Sequence, residues 1–188
     1  MQIGLYFGTF NPIHKGHLAI AEQMHQQGLF DEIWFVVSPN SPFKAYPQWF
    51  DENKRLEFVK LAVKKLPYCL ASDIEFAMER PSYTCLTLRK LRESYPHYTF
   101  SIIMGEDNLD SMEKWKNYEE IMQNHSIYVY PRAGVWQKKE IKNVFYVDLP
   151  LLNISSSQVR ERLKNGESIA EFVPKEIVEN IGSYVLTC

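Results

Sequence analysis

The hydrophobic positions change period along the chain, and each change marks an element. Gln2-Ile3-Gly4-Leu5-Tyr6-Phe7 is a β-branched and aromatic run with the composition of a buried strand. Leu18, Ala21 and Met24 then recur at every third position, a helical period. Ile33-Trp34-Phe35-Val36-Val37, inside residues 32–38, is apolar on both faces, as a central parallel strand should be. Pro39, Pro42 and Pro47 break the following stretch into an irregular loop over 39–47. Asp51 is placed to cap a helix whose apolar stripe is Leu56, Val59, Ala62, Val63 and Leu66.

The second half repeats the alternation. Residues 68–74 predict a third strand. Pro81-Ser82-Tyr83-Thr84 opens a helix with Leu88, Leu91 and Tyr95 on its buried side, and Pro96 ends it. Residues 98–104 predict a fourth strand that runs into a polar loop, Gly105-Glu106-Asp107-Asn108. A short helix over 118–122, a strand over 126–130 and a last strand over 144–147 follow. Ser155 and Gln158 form an S-x-x-Q capping box, with Gly166 as the stop of that helix. Pro174 begins a final helix through Val178 and Ile181. Strands alternating with helices predict an α/β fold: a doubly wound, Rossmann-like parallel sheet with helices on both faces. The 188 residues suit a single domain, 1–188, with the C-terminal helical part, about 155–188, inside it.

Composition narrows the setting. Hydrophobic residues make up 45% of the chain, which argues for a packed core and against disorder. The formal net charge of −2 suggests no nucleic-acid surface, so any basic site must be local. No apolar run approaches the ~20 residues that span a bilayer, so no membrane partner is expected. The chain enters its first strand without a basic, apolar leader pattern. Cys69, Cys85 and Cys188 are odd in number and widely spaced, which fits a reducing compartment and a cytoplasmic protein. The sequence leaves a monomer and a homo-oligomer both open.

Chemistry concentrates first at Gly8-Thr9-Phe10-Asn11-Pro12-Ile13-His14-Lys15-Gly16-His17, between a strand and a helix start. That junction aims backbone N–H groups and a helix dipole at an anion. His14 and His17 fall on one face if the turn is already helical. Two polar surface histidines, or a zinc site, are the other readings. Zinc needs three or four ligands in a closed set, and no sulfur or carboxylate partners stand nearby. The position between strand and helix favours phosphate over both. Further along, Ser156 and Arg160 lie four apart at a capped helix start, where hydroxyls and a guanidinium suit a polyphosphate. Asp107, after the fourth strand, suits a ribose diol, because two hydroxyl donors satisfy its two oxygens. A turn held by Asx hydrogen bonds is as good a reading of that segment. Trp115 is expected exposed and available to stack on a flat heteroaromatic ring. The helix start at Ser82, Tyr83 and Thr84 favours a carboxylate.

The ten-residue segment resembles the signature of the nucleotidylyltransferase superfamily with its H-x-G-H motif, and the chain more narrowly resembles the bacterial nicotinate-nucleotide adenylyltransferases. The resemblance implies transfer of the adenylyl group of ATP to nicotinate mononucleotide, yielding deamido-NAD and pyrophosphate. It implies that Gly8, Thr9, Phe10, His14 and His17 surround the reacting phosphate. Gly105, Asp107 and Asn108 match its G-x-D-N segment on the adenosine ribose. Ser156 and Arg160 match its I-S-S-[ST]-x-x-R motif on the distal phosphates. Ser82, Tyr83 and Thr84 would meet the nicotinate carboxylate, Trp115 its ring, and Lys44 the mononucleotide phosphate. Mg²⁺ is expected to arrive with ATP, with no dedicated protein cage.

Several positions depart from the family pattern. Phe7 stands for a glycine, Asn11 for an aspartate, Pro81 for a glycine and Leu86 for an aspartate, while Ser41-Pro42-Phe43-Lys44 replaces P-P-H-K. None of these touches His14, His17, Ser156 or Arg160. Rival expectations are an adenylyltransferase for nicotinamide mononucleotide or phosphopantetheine, a cytidylyltransferase, and a non-catalytic nucleotide-binding module.

Overall fold

The computed structural model describes residues 1–40, 49–132, 138, 140–150 and 153–185. Its centre is a six-stranded, all-parallel sheet in the order β3-β2-β1-β4-β5-β6. The strands are β1 (Gln2–Gly8), β2 (Glu32–Val37), β3 (Cys69–Ser72), β4 (Thr99–Gly105), β5 (Ile127–Tyr130) and β6 (Val144–Tyr146). The helices are α1 (Lys15–Gln26), α2 (Glu52–Val63), α3 (Thr84–Ser94), α4 (Glu106–Asp110), α5 (Tyr118–Asn124), α6 (Ser156–Lys164) and α7 (Lys175–Val185). This is the doubly wound, Rossmann-like architecture that the alternation predicts.

The period-2 alternation of the strands divides the core in two. Ile33, Phe35 and Val37 of β2 pack with Ala21 and Met24 of α1, Leu56 and Val59 of α2, and Ile177 and Ile181 of α7. Trp34 and Val36 face the other way, joining Ile3, Leu5, Leu88 and Leu91 of α3, and Ile121 of α5. Gly4 is required by this packing, since a Cβ there would lie 2.8 Å from Ile103 Cδ1 and from the Phe30 ring. Val159 of α6 joins the first layer, so the C-terminal helices share the core of the sheet.

Strand order reverses between β1 and β4, and the open end of that junction is where ligands bind in such sheets. Asp51 caps α2 by accepting from the Asn53 and Lys54 amides at 2.9 and 3.0 Å. Ser155 and Gln158 form the expected capping box of α6. Three expectations need correction. The segment after β4 is not a loop: Gly105 ends the strand and α4 begins at once. Only Cys69–Ser72 of the third strand is extended, because Ile74–Ala77 turns into a 3₁₀ helix. Tyr95 is 40% exposed, stacked on Tyr98 beyond the end of α3. Lys44, Cys188 and most of the loop over 39–47 lie outside the described residues.

Candidate active site

A cavity opens at the carboxyl ends of β1 and β4. It is lined by Gly8, Thr9, Phe10 and His17, by Ser82, Tyr83, Thr84, Asn108 and Trp115, and by Ser156. Residues from five separate stretches of sequence therefore meet at one site. His14 lines an adjoining smaller cavity with Gly16, His17 and Arg132.

The histidine segment is built by packing constraints. Phe10 has a left-handed φ of 44°, a conformation costing about 1–2 kcal/mol for an L-residue. Its ring lies edge-on to Tyr6 and His17, with centroids 5.8 and 5.1 Å away. Gly8 makes room for it, because a Cβ there would be 2.9 Å from Phe10 Cζ. His14 is not helical, as the spacing argument required for a shared face. It is the extended N-cap of α1, and its own amide donates to His17 Nδ1 at 3.2 Å. The cap, rather than helical periodicity, brings the two rings together, stacked with centroids 3.6 Å apart. Because Nδ1 of His17 accepts, the neutral ring carries its proton on Nε2. His14 is 4% exposed, and its Nδ1 has no hydrogen-bond partner among the described residues. Burial, helped by the charge of Arg132, pushes the His14 imidazole down to about 3.

The start of α6 docks against this segment. Ser156 Oγ donates to the Pro12 carbonyl at 2.9 Å, and Arg160 donates to the Asn11 carbonyl at 2.8 Å and to Ser157 Oγ at 3.0 Å. Ser156 reaches the main cavity; Arg160 stands behind it and lines neither cavity. Asp107 is exposed and lines neither cavity, its Oδ1 3.4 Å from Arg132 Nε. Gly105 permits that ion pair, since a Cβ would come within 2.5 Å of Asp107 Oδ1 and 2.8 Å of Arg132 Nε. Trp115 is half-buried against the second core layer rather than exposed, and still presents to the cavity. Asn11, which replaces the family aspartate, is buried with Oδ1 unpartnered among the described residues.

Four charged residues of the site escape sequence reasoning. Glu75 sits on the 3₁₀ turn, 1% exposed, lines the cavity, and accepts from Thr87 Oγ1 at 2.8 Å. Its Oε2 and the neighbouring Ser82 Oγ have no hydrogen-bond partner among the described residues. Burial raises the Glu75 carboxyl above its usual range, and the Thr87 hydroxyl opposes that rise. Arg132 lines both cavities and lies over the Tyr130 ring. Lys116 lies 4.4 Å above the Tyr83 ring at the cavity wall. Arg55 is buried beneath the histidine segment. Isolated charges beside apolar runs carry no periodic signal; only the break that Glu75 makes in Ile74-Glu75-Phe76-Ala77 hints at one of them.

Known proteins share both the pattern and the fold. A family model described as cytidylyltransferase-like matches residues 5–162. A protein of Flavobacterium johnsoniae named a probable nicotinate-nucleotide adenylyltransferase is 45% identical over 185 residues, covering 96% of either chain. The chain belongs to the nicotinate-nucleotide adenylyltransferase family. A Bacteroides fragilis relative of the same name is 39% identical over 182 residues, 96% of this chain and 90% of its own. The Plasmodium falciparum nicotinic acid mononucleotide adenylyltransferase complexed with NaAD superimposes with a TM-score of 0.81 at 20% identity, covering 97% of this chain and 95% of that one. The same enzyme complexed with APC gives 0.80. These two structures bear on the fold, and the adenylyltransferase fold is the one seen here.

Proposed function

We propose that the protein transfers the adenylyl group of ATP to nicotinate mononucleotide, forming deamido-NAD and releasing pyrophosphate. The observation that carries this reading is one cavity whose lining brings His17 and Ser156 together with Ser82, Tyr83, Thr84 and Trp115. A nucleotide phosphate and an aromatic carboxylate can thus be held side by side at the strand switch point.

The mononucleotide phosphate attacks the α-phosphorus in line, the new P–O bond forming as the bond to pyrophosphate breaks. A phosphate monoester has a second pKa of about 6 and is already nucleophilic near neutrality. No general base is needed, and catalysis reduces to positioning and electrostatic stabilisation. His17 offers Nε2–H, and the loop offers the Thr9 and Phe10 amides to the oxygens that gain charge. His14, kept neutral by burial, contributes a fixed dipole and the support of the His17 ring. Arg160 and Ser156 would turn from the Asn11 and Pro12 carbonyls toward the distal phosphates. Asp107 would exchange Arg132 for the ribose hydroxyls.

At the acceptor end the start of α3 presents backbone N–H groups from Tyr83 and Thr84. These suit a carboxylate, whereas an amide would bring its own NH₂ against donors. Lys116 adds a positive charge on the same wall, and Lys44 remains the proposed partner of the acceptor phosphate. Among the described residues no three His, Cys, Asp or Glu side chains are grouped to hold a metal. Mg²⁺ is proposed to come with ATP, held by phosphate oxygens and water, where it would neutralise phosphate charge. No helix among the described residues is long and apolar enough to cross a membrane, and a cytoplasmic site of action stays part of the proposal.

Pyrophosphate release with MgATP tests the reading, comparing nicotinate and nicotinamide mononucleotides as acceptors. The acid form should be strongly preferred. Preference for the amide would overturn the acceptor assignment.

A further inference from the structure

Arg55 is the largest fully buried side chain among the described residues, 1% exposed, and the mechanism above does not use it. It projects from the first turn of α2, where Asp51 fixes the helix start. Its Nη1 donates to the Thr9 carbonyl at 2.5 Å and the Ser38 carbonyl at 2.9 Å, and its Nη2 donates to the Pro39 carbonyl at 2.9 Å. One guanidinium thus binds the turn after β1 and the chain leaving β2, the two segments that border the cavity on this side.

The Thr9 carbonyl is the informative partner. In a planar trans peptide the N–H of the next residue points opposite to the carbonyl. Arg55 holds the Thr9 oxygen from beneath and does not itself line the cavity, whereas Thr9 and Phe10 do. Fixing that oxygen therefore turns the Phe10 N–H toward the cavity. The orientation is not free, because Phe10 is left-handed with φ 44°. A peptide flip would relieve that strain and withdraw the donor.

We propose that Arg55 is a positioning residue for adenylyl transfer, holding the Thr9–Phe10 peptide so that the Phe10 N–H faces the reacting phosphate, and locking that peptide to the chain segment after β2. The proposal rests on the adenylyltransferase reading of the cavity. It requires the planar fork of arginine, since the three carbonyls are reached from two nitrogens of one rigid group. Lysine can supply the charge but only from a single nitrogen.

The test uses Arg55→Lys and Arg55→Ala in the full chain. Wild-type turnover with MgATP and nicotinate mononucleotide comes first; its absence would count against the adenylyltransferase reading and not against Arg55. With wild type active, both variants should lose about 10²-fold in kcat, the scale of a misplaced reacting group, while KM for ATP changes by less than about threefold. Added guanidinium should restore at least a tenth of the lost kcat to Arg55→Ala and do nothing for wild type; ammonium at equal concentration should not. Unchanged kcat in Arg55→Lys, or equal rescue by ammonium, would overturn the proposal. So would an Arg55→Lys protein that stays unfolded in the cold with guanidinium present, because Arg55 would then serve the fold at large.

Discussion

His14 and His17 stack with ring centroids 3.6 Å apart and planes 26° apart, yet only His17 lines the main cavity. The motif contains two chemically different imidazoles. His14 is a buried neutral ring that backs its neighbour, and His17 is the donor at the cavity wall. Replacing His17 by alanine should lower kcat by about 10²–10³-fold, the usual result of losing one preorganised donor. KM for ATP should move much less. Steady-state kinetics checks this, and an unchanged kcat would remove His17 from the chemistry.

The burial of His14 also predicts how stability depends on pH. Its folded-state value is about 3, below the ordinary 6.5. Between those values the unfolded chain binds a proton that the folded chain does not, so stability falls as pH falls from about 6.5 toward 3. The buried His125 is shifted the same way by desolvation and adds to the slope. Thermal melts from pH 7 to 4 should show a shallower loss for His14→Asn than for wild type. Parallel curves would contradict the assignment.

The periodic and punctuated parts of this structure are the parts a sequence can convey. The β2 run, buried on both faces, the Asp51 cap and the Ser155–Gln158 box all act within a few residues, so local pattern reports them. Local pattern also marked Gly8–His17 and Ser82–Thr84 as helix starts suited to anions, while the family resemblance grouped them with Trp115. Arg55, Glu75 and Arg132 are different, because each is defined by partners far away in sequence. Arg55 sits beside Leu56 on an apparently amphipathic helix, and only the chain crossing above it buries its guanidinium. Tyr95 fails for the opposite reason: it continues the apolar period of α3 one residue after the helix has ended.

Glu75 anchors α3 to the 3₁₀ turn through Thr87. Glu75→Ala should leave the Thr87 hydroxyl without its carboxylate acceptor, and destabilisation of about 1–3 kcal/mol is expected from a buried group deprived of its partner. Glu75→Gln keeps an acceptor at Oε1 and should lose less. Denaturant titration of both variants distinguishes this from a purely catalytic role.

Gly105 leaves room for the Asp107–Arg132 ion pair. Gly105→Ala would force apart Asp107 and Arg132, whose atoms lie 2.5 and 2.8 Å from the added carbon. The expected result is a raised KM for ATP with little change in the melting temperature, because the displaced pair is largely at the surface. A lower melting temperature with normal ATP binding would mean that strand β4, and not the ion pair, absorbs the strain.

The docking of α6 has a consequence for how the enzyme comes into being. Ser156 and Arg160 grip carbonyls 144 and 149 residues earlier in the chain, and the Lys15 amide donates to the Phe172 carbonyl. Contacts of such high sequence separation form late, after loop closure has been achieved. During synthesis the β1–α1 turn leaves the ribosome well before the residues that brace it, which follow 144 and 149 residues after their partners. A nascent or truncated chain ending before residue 155 would carry the whole histidine signature and still lack its brace. The histidine segment is thereby left unbraced until Ser156 and Arg160 have been made.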